Sequence, residues 1–402
     1  MIIEYIIDKG FAFIGLAEDT TKIWQPLKEI SELVNFDYVI VLEGELLPHV
    51  DDVLESESLY FKEDFVIFLT DRKEPPKVNG QDHGPVRSFI CSSQIFNIHY
   101  CSYKDHGVDE WAYYLLHLVY NKAVSPEKLE VRQLPLKPIR KISEESLINV
   151  IIPHKGDCKD LNSCLNCQLK SEFNRQNILV GFDEYKEDTD HQLVSHWGAE
   201  VSFYQANPPN VGPYVIRESL INKCDRGLLT FVDSDDLSCT DRLNVLAGSL
   251  NEQIRMVGSH ELRFDVINKH IRAIRYPLNV SEALDIHTGF PLLHSTALMY
   301  LEDFERVGGY STNRKFANDT QFLLRSYFYM NISNVDEFLY IRKTHPKSLT
   351  AGKTDPLSDE IRTKLANQWN TDFEKIRNEK LGVMDSSLAP IKVDKNELTR
   401  VK

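Results

Sequence analysis

The chain has 402 residues, room for two domains or for one large domain with an extension, and its 42% apolar and 26% charged content is that of an ordinary globular protein. A formal net charge of −14 leaves no surplus of lysine and arginine to meet a phosphate backbone. General nucleic-acid binding is therefore excluded, although a nucleotide ligand is not.

Taken in chain order, Met1-Ile2-Ile3-Glu4-Tyr5-Ile6-Ile7-Asp8 is apolar but carries acids and no basic start, so it reads as a strand and not as a signal peptide. Short apolar strands are predicted at 11–15, 38–42 and 65–69. An amphipathic helix is expected at 109–122, with Trp111, Leu115, Leu118 and Val119 near helical spacing. The basic, proline-punctuated stretch Leu134-Pro135-Leu136-Lys137-Pro138-Ile139-Arg140-Lys141 reads as a linker that closes an amino-terminal α/β region, residues 1–145. From 146 to 355 strand and helix signals alternate, with strands near 149–152, 177–181, 200–204 and 228–232, and helices at 160–170 and 214–223. That alternation predicts an α/β fold with a mainly parallel sheet flanked by helices. Residues 356–402 turn polar and read as a helix at 359–378 followed by a tail suited to disorder or to association.

Seven cysteines, an odd number, with no secretory leader point to a reducing compartment and a cytoplasmic location. Cys158, Cys164 and Cys167 are spaced closely enough to suggest zinc, but no fourth ligand follows at a suitable spacing, so they are taken as thiols. The longest stretch without formal charge, 286–301, is shorter than the ~18 residues of a membrane-spanning helix. The protein is expected to be soluble or peripheral.

Chemistry concentrates in Leu228-Leu229-Thr230-Phe231-Val232-Asp233-Ser234-Asp235-Asp236. An apolar run reads as a buried strand, and three carboxylates follow where that strand should end. The carboxyl ends of strands are the ligand-binding edge of an open α/β sheet. Carboxylates crowded there repel one another unless a cation neutralises them, and a hard ion such as Mg2+ or Mn2+ with oxygen ligands meets that need. The competing reading is a solvated acidic loop that caps the next helix.

Four further patterns surround that strand in a fixed order. Val150-Ile151-Ile152-Pro153-His154-Lys155 and Ile178-Leu179-Val180-Gly181-Phe182-Asp183-Glu184 are strands ending in polar groups, and Gly212-Pro213-Tyr214-Val215-Ile216-Arg217 opens a helix. Val307-Gly308-Gly309-Tyr310 is followed by Asn318-Asp319-Thr320-Gln321-Phe322-Leu323-Leu324-Arg325. Together these resemble the family 2 glycosyltransferases, inverting enzymes of GT-A fold that use nucleotide-diphosphate sugars, over roughly residues 148–350.

The resemblance implies roles. Pro153, His154, Lys155, Asp183, Arg217, Asp233 and Ser234 would hold the nucleotide sugar. Asp183 would accept from a uracil-like N–H, Arg217 would bind the diphosphate, and Asp233 would contact the ribose. Asp235, Asp236 and His345 would hold Mn2+ or Mg2+, and Asp319 would be the general base that takes the acceptor's proton. Local alternatives exist: an ion pair of Arg217 with Glu218 or Asp225, and an N-cap role for Asn318 or Asp319. Two departures weaken the match, since the family commonly shows Asp-Asp where Gly181-Phe182 precede Asp183, and Glu-Asp where this chain has Asn318-Asp319.

The resemblance also implies a hexosyl- or N-acetylhexosaminyl-transferase acting with a UDP-sugar donor. A glycan or lipid-linked glycan would be the acceptor, in bacterial surface-polysaccharide synthesis, with the protein an oligomer or peripheral at the inner face of the membrane. His287-Thr288-Gly289-Phe290-Pro291-Leu292-Leu293-His294-Ser295 could line a sugar pocket, although a buried strand pair is the preferred reading. The amino-terminal region carries a faint echo of the same pattern: a strand at 36–46 ending in acids and a helix opening at Gly107-Val108-Asp109. This suggests a truncated, non-catalytic GT-A-like module. A haloacid-dehalogenase phosphatase is disfavoured because Leu237 stands where Thr or Val is wanted, and a nucleotidyltransferase because no glycine-rich loop follows the first strand. A sugar-nucleotide binder or scaffold without catalysis is the alternative from another class.

Overall fold

In the computed structural model, residues 147–401 are described apart from 172, 240, 266–269, 345–355 and 394–397; of residues 1–146, seven strands and the turn at 79–80 are described. The helix expected at 109–122 and His345 lie outside the described residues.

The second half is built on ten strands, from β8 (Ile148–His154) through β9 (Gln176–Phe182), β10 (Val201–Ala206), β11 (Leu228–Phe231), β12 (Leu237–Ser238), β13 (Ile254–Asp265), β14 (His270–Arg275), β15 (Leu298–Tyr300) and β16 (Asn331–Thr344) to β17 (Leu398–Arg400). Pairing runs β17-β10-β9-β8-β11-β15-β13-β16, and β8, β9, β10, β11, β13 and β16 all point one way. The sheet is mainly parallel, as the alternating pattern predicts. Strands β8, β9 and β11 are continuous apolar runs because helices cover both of their faces. Successive side chains confirm it: Ile151, Leu179 and Leu229 enter one core, while Val150, Ile152, Ile178 and Val180 enter the other. The second core is closed by α1 (Cys158–Leu169), α2 (Glu187–Trp197) and α4 (Arg242–Ser249). The first is closed by α3 (Pro213–Ile221), α6 (Leu301–Arg306), α7 (Asn318–Ser326) and α8 (Pro356–Arg377); a short α5 (Val280–Ile286) adds Val280 and Leu284.

The chain steps outward from β8 to β9 to β10, then returns to lay β11 against the other side of β8. Strand order reverses there, and a crevice opens between the ends of β8 and β11. That topology, more than any single motif, decides where a ligand fits.

The helix expected at 359–378 is present as α8, but it and the segment after it are packed into the fold and do not form a polar tail. Trp369, Phe373 and Ile376 of α8 are buried in the first core, as is Leu388 beyond it. Strand β17 then pairs antiparallel with β10 and completes that edge of the sheet.

The amino-terminal strands are β1 (Ile2–Asp8), β2 (Phe11–Leu16), β3 (Tyr38–Glu43), β4 (Val66–Thr70), β5 (Gln81–Pro85), β6 (Ser88–Ser92) and β7 (Leu129–Gln133). Their pairing runs β1-β2-β3-β6-β4-β7. This sheet meets the other at two places, β5 with β14 and β7 with β16, both antiparallel. Among the described residues no helix is long and apolar enough to cross a membrane.

Candidate active site

The end of β8 and the loop after β11 are tied across the crevice by His154 Nδ1 and Ser234 Oγ, 2.8 Å apart. Burial lowers the His154 pKa to about 4, and Asp190, Asp160 and Asp157 recover only part of the loss, so the ring is neutral near pH 7. Lys155 donates to Asn210 Oδ1, and its ammonium lies 4.0 Å from Asp183 Oδ2. Asp183 is buried, and its Oδ1 accepts the amides of Val211 (2.7 Å) and Gly212 (3.1 Å). One of its oxygens therefore fixes the loop that leads into α3, and the other faces Lys155. The departure at Gly181 has a packing cause: a Cβ there would stand 2.4 Å from Ile216 Cγ2, so only glycine lets α3 lie this close to β9.

Arg217 is held by neither Glu218 nor Asp225. It forms an ion pair with Asp233, and its Nε is buried with no hydrogen-bond partner among the described residues. Burial opposes the charge, but the Asp233 carboxylate, with Tyr214, Tyr310 and Asp319 behind it, raises the pKa. Glu218 is occupied elsewhere, by Lys392 and by the amide of Tyr310.

The three carboxylates after β11 have different surroundings. Asp233 is 38% exposed at its side chain and faces the crevice. Asp236 is 2% exposed; its Oδ2 accepts from the Tyr340 hydroxyl (2.9 Å) and its Oδ1 from the Lys343 amide (2.8 Å). Burial, then Asp235 and Asp233, push the Asp236 pKa well above the carboxylate range. Asp236, grouped by sequence with the metal ligands, thus fastens the loop to β16, and both it and the half-buried Asp235 line the cavity.

On the opposite wall, Asp319 is the second residue of α7, where a carboxylate suits the helix dipole. The N-cap is neither Asn318 nor Asp319 but Ala317, in a left-handed conformation with φ 58°. Asn318, which replaces the family's first acid, is fully buried and donates to Arg314 O at 2.8 Å, a structural position. Asp319 accepts the Thr320 amide at 2.9 Å and lies against the Tyr214 hydroxyl, whose pKa is raised by burial and then by Asp319.

These residues line one cavity of about 1560 Å³ that also takes in Pro153, His294, Lys315, Arg342 and Trp369. The segment 287–295 is not a strand pair but a loop with one 3-10 turn at His294–Thr296, and Phe290, Leu292, Leu293 and His294 reach the cavity. His294 shares a hydrogen bond with Tyr310 and stacks within 4.3 Å of Phe231; burial, then Arg217, lower its pKa to about 3. Among the described residues no three His, Cys, Asp or Glu side chains converge as a metal cage. The carboxylate oxygens of Asp233 and Asp235 are the donor type that hard ions such as Mg2+ and Mn2+ take, and such ions commonly use only one or two carboxylates. The three cysteines of α1 are free thiols: Cys158 donates to Asp190 and Cys167 to Ser238 O.

No protein-family model and no curated protein matches the sequence. Solved structures similar to the chain include residues 1–349 of S. aureus TarS in complex with UDP-GlcNAc, 16% identical over 58% of this chain and 73% of that one, TM-score 0.46. The same fragment with UDP is 17% identical over 59% and 71%, TM-score 0.43. The mannosyltransferase PcManGT from Pyrobaculum calidifontis, in complex with GDP-Man and Mn2+, is 10% identical over 72% and 75%, TM-score 0.41.

Sequence reasoning missed several lining residues. Tyr214 stands three residues before Arg217 on α3, a spacing that puts both on one helical face. Trp369 and Arg362 come from α8, where only the i, i+4, i+7 spacing of Trp369, Phe373 and Ile376 signalled a buried face. Asn79, from the amino-terminal half, carried no local signal at all.

Proposed function

We propose that the protein transfers a sugar from a nucleotide-diphosphate sugar to a hydroxyl of a glycan or glycolipid acceptor. The transfer is one inverting, metal-assisted displacement, in a bacterial surface-polysaccharide pathway at the inner face of a membrane. One observation carries the reading: two acidic centres face each other across one cavity, Asp233 and Asp235 at the switch point and Asp319 on the opposite wall, with Arg217 between them.

In this reading Pro153, His154, Lys155 and Ser234 take the nucleoside, with a UDP-sugar favoured. Neutral His154 can donate or accept without bringing a charge into the crevice. The spare Asp183 oxygen and Lys155 sit beside one another at the base end. Arg217, already aligned by Asp233, turns its unpartnered Nε toward the diphosphate and binds it as a planar fork. Asp235 would hold Mn2+ or Mg2+, with Asp236 keeping the loop in place; His345 is retained as a further ligand. Such an ion neutralises charge on the departing diphosphate. Asp319 takes the acceptor's proton as its oxygen attacks, and Tyr214 orients that carboxylate by hydrogen bonding.

Titration calorimetry with UDP, with and without Mn2+, tests the donor side. Asp235→Asn keeps the side chain's shape but removes a charged oxygen ligand, so the Mn2+-dependent gain in UDP affinity is expected to vanish while thermal stability holds. Unchanged Mn2+ dependence would remove Asp235 from the metal shell. Binding of donor without turnover across a wide acceptor panel would favour a sugar-nucleotide scaffold instead.

A further inference from the structure

The two sheets of this chain share one strand plan. In the second half, β8 lies parallel to β11, β11 antiparallel to β15, β15 antiparallel to β13, and β13 parallel to β16. In the first half, β2 lies parallel to β3, β3 antiparallel to β6, β6 antiparallel to β4, and β4 parallel to β7. Position by position, the chain order and the strand directions agree. The parallel extends to the extra strand that each half inserts before its antiparallel member: β5 falls between β4 and β6 as β14 falls between β13 and β15. Among the described residues the first half shows no counterpart of β9 and β10, and only residues 17–37 stand where 155–227 stand in the second.

The contacts between the sheets follow the same correspondence. Strand β5 pairs with β14, its counterpart, through Gln81↔Arg275 and Asp82↔Ile274, and β7 pairs with β16, its counterpart, through Val131↔Phe338. Equivalent strands meeting antiparallel are what a two-fold axis between like units produces. At that junction the turn before β5 enters the cavity. Asn79 Oδ1 accepts the Phe290 amide at 3.1 Å, and Gly80, with φ +77°, sits so close to Tyr276 that a Cβ would stand 2.9 Å from its ring. Tyr276 in turn donates to Glu261 Oε1 at 3.1 Å. Phe290 is 54% exposed, so its loop has little burial of its own to fix it.

We propose that the amino-terminal half is an incomplete second copy of the cavity-bearing sheet, docked on it through equivalent strands about a local two-fold axis. The surface formed by β14 and β16 is thus built to take a like unit, and the chain supplies that unit itself. The docking has a local purpose: the 79–80 turn is the part of the copy that completes the cavity wall, with Asn79 as a positioning residue for the 287–293 loop. This inference is independent of the reaction proposed above, because it rests on strand order and on contacts outside the nucleotide crevice.

Hydrogen exchange on the full-length chain, read by mass spectrometry, tests it. Peptides over 81–85 and 270–275 are expected to be protected and to open together, since the two strands share one ladder of hydrogen bonds if the copy is docked. Asn79→Ala should speed exchange in peptides covering 287–293 by about tenfold, the scale of one lost hydrogen bond. Asn79→Asp keeps the accepting oxygen and should restore protection, which a general loosening of the fold would not do. Gly80→Val, forced against Tyr276, should open 81–85 and 270–275 in parallel. Fast exchange at 270–275 in the unaltered chain would overturn the docking. Unchanged exchange at 287–293 in Asn79→Ala, or no recovery in Asn79→Asp, would overturn the positioning role.

Discussion

At the scale of single residues, the site divides like groups by their surroundings. Asp236 is buried and bonded at both oxygens, whereas Asp233 meets the cavity paired with Arg217. Asp319, on the far wall, touches none of them directly and is held by Thr320 and Tyr214. Asp319→Asn should therefore separate chemistry from binding. Donor affinity is expected to survive within a few-fold, while turnover falls by about 10²-fold or more, the usual scale for a positioned general base. Release of nucleoside diphosphate with acceptor present, set beside donor titration, checks it, and near-normal turnover would reduce Asp319 to a helix-end residue.

Two of the buried histidines predict a pH dependence of stability. His154 and His294 have folded pKa values of about 4 and about 3, below the 6.5 of the unfolded chain. Below pH 6.5 the unfolded chain takes up these protons first, so their contribution is fully present above that pH and declines as pH falls toward the folded values. The slope is about 1.4 kcal/mol per pH unit for each histidine. Urea midpoints at about pH 7 and about pH 5 should differ accordingly, and less in a His154→Asn, His294→Asn double variant; equal slopes would mean these rings do not titrate with folding.

At the scale of elements, α8 is the test of how much packing a polar segment can hide. Trp369 is 2% exposed, with the Arg314 guanidinium 5.3 Å from its ring centre, and Phe373 and Ile376 continue the same face. Trp369→Ala is expected to destabilise the protein by about 3–5 kcal/mol, read as a shift in denaturant midpoint. A shift under about 1 kcal/mol would mean the helix is only loosely attached. The contrast with β8 and β11 explains what was legible in the sequence. Strands covered on both faces show as unbroken apolar runs, so β8, β9, β11 and the carboxylates behind β11 could be read directly. A helix covered on one face shows three large residues among many charges, so α8 was legible as a helix at 359–378 but its burial was not. The 287–295 loop misled for a different reason: its apolar residues face a cavity and a core together, which mimics a buried strand. Asn79 and the Arg217–Asp233 pair depend on contacts between distant parts of the chain, and no local pattern encodes them.

At the scale of the whole molecule, the reversal of strand order between β8 and β11 makes one crevice serve residues far apart in the chain. The other end of that sheet has a different consequence. Strand β17 lies on β10 through Leu398↔Ala206, Thr399↔Gln205 and Arg400↔Tyr204, three residues against the last open row of backbone groups beside β9 and β10. A parallel β-sheet left with such a row is a template for another chain's strand, and proteins guard against it with short or charged edges. Residues 398–400 are therefore expected to act as a stopper against sheet-to-sheet growth, independently of the cavity. Ending the chain before Leu398 should leave UDP binding intact but produce concentration-dependent association, visible as rising mass in light scattering. A shortened protein that stays at constant mass over the same concentrations would show that β10 protects its own edge.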